Sequence, residues 1–153
     1  KEPLSVSHDP RGVALELDGE ICFGSGSVNL KEEIKILLEE ASSLMKNKND
    51  KREILIEGHT DNAPVSGDIE EKYKNNWGLS SFRASEVVTY LIDDLGVPRN
   101  RLRAIGYADQ WPADVSWSQV RSGAVTTILI DSLNKSDIQK QNNRRIKIIF
   151  ATR

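Results

Sequence analysis

Arg52-Glu53-Ile54-Leu55-Ile56-Glu57-Gly58-His59-Thr60-Asp61-Asn62 is the stretch whose reading sets the fold. An apolar run from Ile54 to Ile56 stops at Gly58, and four polar side chains follow at once. Such a run bounded by glycine predicts a short strand, Glu53 to Glu57, emptying into a loop. Loops at strand ends carry binding groups because a rigid scaffold holds them within reach of water. The remaining chain is expected to build the sheet behind this loop or to bring groups up to face it.

On the N-terminal side, residues 1–12 are polar and contain Pro3, Pro10 and Gly12, which predicts a linker. Val13, Leu15 and Leu17 share one face of a predicted strand ending at Asp18. Gly19-Glu20 predicts a turn, and Gly24-Ser25-Gly26-Ser27 a flexible loop. Asn29 followed by Glu32 predicts a capping box, and Leu30, Ile34, Leu38, Ala41 and Met45 continue at helical spacing. On the C-terminal side, residues 62–78 form a polar segment, and Ser80 is the predicted cap of a second helix. Ala84, Val87, Val88, Leu91, Ile92 and Leu95 give that helix its apolar stripe, and Gly96 with Pro98 ends it. Leu102–Tyr107 and Ile146–Ala151 are predicted strands. Ala108–Asn143 is long for a connection and is expected to have structure of its own, with a helix favoured over Ala124–Leu133.

The order β-α-β-α-β-(insert)-β predicts an α/β (α+β) sandwich, a mixed sheet with helices packed on one face. A single domain over 13–153 is expected, with an insertion at about 113–142. The chain has 153 residues, 29% charged and 38% hydrophobic, with no apolar run near the ~20 residues of a membrane span. It begins at Lys1 rather than Met, so a mature or excised fragment is expected, its membrane anchor lying before it. The net charge of −2 disfavours a nucleic-acid partner. One cysteine and two histidines without ligand spacing predict neither a disulfide nor a metal site, and no cofactor motif is present.

Asp61 lies in the loop after the central strand, and Arg83 falls in the first turn of the next helix if Ser80 is its cap. A carboxylate and a guanidinium on one rim suit a zwitterion, with Asp61 taking an ammonium and Arg83, aided by the helix N-terminus, a carboxylate. A plain Asp61–Arg83 salt bridge explains the same pattern equally well. His59 invites a catalytic reading with Cys22 or a serine, but no nucleophile elbow is present, and a structural histidine bonded to the loop backbone is favoured. Arg144 and Arg145 precede the last strand; if that strand lies beside the central one, one of them can reach Asp61 or Glu57. Trp77, Trp111 and Trp117 are expected to staple loops.

These motifs together resemble the OmpA-like peptidoglycan-binding domain shared by outer-membrane protein A, the peptidoglycan-associated lipoprotein and the stator protein MotB. The resemblance is carried by Gly58-His59-Thr60-Asp61, by Asn76 and Leu79-Ser80 leading to Arg83-Ala84, by Gly106-Tyr107 and Pro112, and by Asn143-Arg144-Arg145. It covers about Val13 to Ala151, and Asn76-Trp77 with the long 62–75 loop resembles MotB most. It implies a non-catalytic domain in which Asp61 and Arg83 hold the diaminopimelate of a peptidoglycan stem peptide. Thr60, Asn76, Leu79, Phe23 and Ser25 would line the pocket, and Arg144 would organise Asp61. It implies a periplasmic location in a Gram-negative cell, attached to the inner or outer membrane through a preceding segment and anchoring a membrane protein or flagellar motor stator. The insertion is expected to carry a partner or homodimer contact; the alternative reading is a structural or dimerisation module that binds a protein through it.

Overall fold

The computed structural model describes residues 2–24 and 26–152, so Ser25 lies outside the described residues. The inner strand β3 (Ile54–His59) sends Ile54 and Ile56 to one face and Glu57 and His59 to the other by its alternation. It pairs antiparallel with β5 (Arg145–Ala151) and parallel with β4 (Leu102–Gly106). With β1 (Leu4–Asp9) and β2 (Gly12–Asp18), the mixed sheet has the order β1-β2-β5-β3-β4.

Two long helices cover one face. From α2 (Glu32–Met45), Ile34, Leu38 and Met45 meet the sheet; from α4 (Asn76–Asp93), Ala84, Val87 and Leu91 do. Their partners are Leu17, Ile54, Ile56, Leu102, Ile146, Ile148 and Phe150, and each fully buried aliphatic side chain contributes roughly 1.5–3 kcal/mol. The register pairs Gly58 with Gly106 under the start of α4. A Cβ at Gly58 would stand 2.3 Å from the Ser80 carbonyl oxygen, and one at Gly106 2.2 Å from Ser81 Oγ. The paired glycines let the helix lie directly on the end of the sheet that empties into the Thr60-Asp61 loop.

The structure departs from the sequence expectations at four places. Residues 4–9, expected as linker, form edge strand β1, because backbone pairing with β2 supplies the order that their polar side chains do not announce. The first long helix begins at Glu32, not after Asn29: the Phe23–Leu30 bridge and the Lys31 N–H bond to the Cys22 oxygen keep residues 30–31 extended, and Lys31 caps without a side-chain bond. The cap of α4 is Asn75, whose side chain accepts from the Gly78 N–H; Ser80 lies inside the helix, donating to the Trp77 oxygen and accepting from the Ala108 N–H. Two short helices stand where turns and loop were read, α1 (Gly19–Cys22), capped by Asp18, and α3 (Gly67–Tyr73). The long connection has its own structure, as expected: α5 (Trp117–Arg121), α6 (Thr127–Ser132) and α7 (Asp137–Asn143), with capping boxes at Ser116/Gln119 and Ser136/Gln139. Among the described residues, no helix is long and apolar enough to cross a membrane.

Candidate functional site

Where β3 ends and β5 begins, the loop after β3 meets α1, α3 and the first turns of α4 around a cleft of about 640 Å³. Phe23, Thr60, Asp61, Asn76, Leu79, Arg83 and Arg144 all border it, although they come from four separate segments.

Arg83 stands two turns into α4, not in its first turn, so the helix N-terminus and the guanidinium do not act as one anion site. Its Nε and Nη2 donate to the Ser27 carbonyl oxygen at 3.0 and 2.7 Å, and its guanidinium lies 4.9 Å from the centre of the Phe23 ring. No carboxylate among the described residues pairs with it. Burial pulls its pKa below the ordinary arginine value against the attraction of nearby Asp61, and the guanidinium stays charged.

Asp61 pairs with Arg144 rather than with Arg83, which answers the salt-bridge alternative. Its Oδ2 accepts from Arg144 Nη1 at 2.6 Å and its Oδ1 from the Ala63 N–H at 2.9 Å. Arg144 reaches Glu20 Oε1 at 3.2 Å with its other terminal nitrogen. Burial lowers the Arg144 pKa, but the two carboxylates outweigh it and the net shift is upward. The loop is fixed by Thr60, whose N–H donates to the Ala108 oxygen and whose hydroxyl donates to the Asp61 oxygen, both at 2.8 Å. Asn76 Nδ2 adds a bond to the Ala63 oxygen at 2.9 Å. Leu79 is 7% exposed, and with Val65 and Ile69 it gives the cleft an apolar wall.

His59 bonds a side chain, not the loop backbone as expected: Nε2 stands 3.3 Å from Glu57 Oε1 on the sheet face away from α2 and α4. Its ring stacks on Tyr107 at 5.1 Å and meets the edge of Trp111 at 5.8 Å. Cys22 belongs to the core on the helix-covered face, so sheet and core separate the two residues of the catalytic reading. Burial, with Arg145 nearby, pushes the His59 pKa down to about 3 against the pull of Glu57, so the neutral ring donates from Nε2. On acidification the unfolded chain takes a proton near pH 6.5, whereas the folded chain does so only near pH 3. The stability is therefore complete above about pH 6.5 and is lost as the pH falls towards about 3, with a slope of up to ~1.4 kcal/mol per pH unit. The depressed Glu57 carboxyl adds loss of the same sign at the acid end. Urea midpoints measured across this range should fall accordingly, and a level profile from about pH 6.5 to 4 would contradict the assignment.

Several residues at this end of the molecule carried no local sequence signal. Glu20 and Lys31 border the cleft, Lys31 donating to the Glu20 backbone oxygen at 2.8 Å. Arg11, from the segment read as linker, is bonded to both Asp9 and Glu57. Its guanidinium lies 4.8 Å from both the Trp111 and Trp117 rings, so these tryptophans do fasten the insertion, and they do so through an arginine.

A mixed sheet under two helices thus carries a partly apolar cleft in which a guanidinium without a carboxylate partner stands near a tethered carboxylate. The OmpA family model matches residues 22–126, and the chain belongs to that family. It is similar to the uncharacterized protein YtxE of Bacillus subtilis (strain 168), 30% identical over 98% of this chain and 52% of that protein. It is also similar to motility protein B of the same organism, 27% identical over 98% of this chain and 49% of that protein. The chain thus spans about half the length of the curated relatives it matches. Among solved structures, the cell wall anchor of the T6SS from Pseudomonas aeruginosa superposes with a TM-score of 0.72, 26% identical, covering 97% of this chain and 88% of that one.

Proposed function

We propose that this domain binds peptidoglycan without catalysis, holding the amino-acid head of a diaminopimelate residue in a stem peptide between Asp61 and Arg83. The observation that carries the reading is Arg83 itself, a partly buried guanidinium whose partners are a carbonyl oxygen and a ring face. A ligand carboxylate supplies the missing anion, and the ligand ammonium uses the remaining lone pairs of Asp61. Thr60, Asn76 and Arg144 hold that carboxylate in place; Leu79 and Phe23 border the aliphatic part of the ligand, and the family resemblance adds Ser25 to the pocket. Membership of the OmpA family and likeness to a cell wall anchor and to motility protein B support the reading. The domain would then stand on the wall side of the membrane, periplasmic in a Gram-negative cell, and tie a longer membrane-attached protein or a stator complex to the wall.

The test is sedimentation with purified cell wall. Asp61→Ala removes the ammonium partner and frees Arg144 into the cleft, and co-sedimentation should be lost while the circular dichroism spectrum is retained. Undiminished sedimentation of the folded variant would reject the reading. Ile128 and Ile138, 82% and 72% exposed on α6 and α7, favour a second reading in which the insertion binds a protein partner or a second copy. That reading gains if wall binding survives substitution of both Asp61 and Arg83.

A further inference from the structure

The charges around the cleft are unevenly matched. Its two carboxylates, Asp61 and Glu20, share the single guanidinium of Arg144, at 2.6 and 3.2 Å. Of the other cations that line it, Arg145 pairs with Glu16 at 3.6 Å, Arg83 has no carboxylate within ion-pair distance among the described residues, and Lys31 has an exposed one at the limit of that distance. Arg83 is bonded to the Ser27 oxygen, and Lys31 Nζ to the Glu20 backbone oxygen, with its nearest carboxylate, Glu33, 4.0 Å away. The surplus positive charge at the cleft therefore sits on Arg83 and Lys31, which lean on carbonyl oxygens and, for Lys31, on one distant exposed carboxylate.

An amino-acid head does not cancel that surplus. It brings one carboxylate for Arg83 and one ammonium for Asp61, adds no net charge, and leaves Lys31 unmatched. A cleft of about 640 Å³ is of the size that encloses ligands of several linked groups, so there is room for more of the molecule than its head. A second carboxylate on the same ligand would give Lys31 a partner inside the cleft.

Resting on the stem-peptide reading above, we propose that Lys31 forms a second anion position in this cleft and makes it selective. Stem peptides bearing a free carboxylate outside the diaminopimelate head bind more tightly than those in which that group is a carboxamide. A carboxamide has nearly the same shape, so it is accommodated, but it carries no charge for the ammonium. Because the Lys31 side chain is 41% exposed, water screens the contact, and the preference is modest and weakens with added salt.

The experiment is isothermal titration calorimetry at low salt with two synthetic peptides. One is the tripeptide L-alanyl-γ-D-glutamyl-meso-diaminopimelate; the other is amidated at every carboxyl outside the diaminopimelate head. The wild-type chain should bind the first about two- to fivefold more tightly. Lys31→Gln should bring the ratio to about one. Equal wild-type affinities, or a preference that persists in Lys31→Gln, would overturn the role of Lys31 while the stem-peptide reading stands. Binding of neither peptide would overturn that reading, and the inference with it.

Discussion

Arg83→Ala is expected to weaken binding to purified cell wall by about 30- to 5,000-fold, corresponding to the roughly 2–5 kcal/mol lost when one member of a buried charged contact is removed. The size follows from the surroundings of the guanidinium. It is partly buried, it has no competing carboxylate among the described residues, and the Phe23 ring and Ser27 oxygen already fix its position. Little ordering remains to be done when a ligand carboxylate arrives. Arg83→Lys should rescue little, because one ammonium cannot both bond the Ser27 oxygen from the side and present a second edge to the ligand. The change leaves the apolar face of α4 intact, so the unfolding midpoint should move little. A folded Arg83→Ala protein that sediments like the wild type would show that the ligand lies elsewhere.

Glu57→Ala is expected to destabilise the domain by about 3–5 kcal/mol, read as a fall in the urea midpoint at neutral pH. Glu57 is 0% exposed and is held by Arg11 from the β1–β2 turn and by His59 on its own strand. Without it, Arg11 keeps only Asp9 as an anion, and His59 loses its acceptor. The Trp111 and Trp117 rings packed around Arg11 belong to the insertion, so the loss spreads from the sheet to the segment that covers it. The Thr60 N–H bonds the Ala108 oxygen near the start of that segment, so weaker binding should accompany the lower stability. A change of less than about 1 kcal/mol would mean that the charges on this face are solvated rather than sealed.

Local patterns were enough for the elements whose apolar period is long and regular. The α4 stripe from Ala84 to Leu91 buries one face and its period says so, while the apolar runs at 54–56 and 146–150 lie in strands buried on both faces. Boundaries were less legible because competing bonds set them. Asn75 and Ser80 are both good caps by composition, but Ser80 is drawn inside the helix by the Ala108 N–H, which lies 28 residues further on. Asn29 lost its place as cap to a backbone bridge between Phe23 and Leu30. Strand β1 was read as linker because an edge strand with one exposed face needs few apolar residues, and its order comes from the neighbour with which it pairs.

The sequence by itself determined the order of strands β2 to β5 and of the two long helices, and it singled out Asp61 and Arg83 as opposite charges for one rim. These follow from residue type and near-neighbour spacing, which the chain carries wherever it folds. Only the tertiary structure decided that Asp61 is tied to Arg144 and that Arg83 leans on the Ser27 oxygen and the Phe23 ring. Only the tertiary structure, again, placed Lys31 and Glu20 at the same cleft, and sealed His59 and Glu57 behind the sheet under Arg11. Each of these depends on which groups meet across many residues of chain. Charge pairing is settled by distance in space and by burial, and neither is written in the order of the residues.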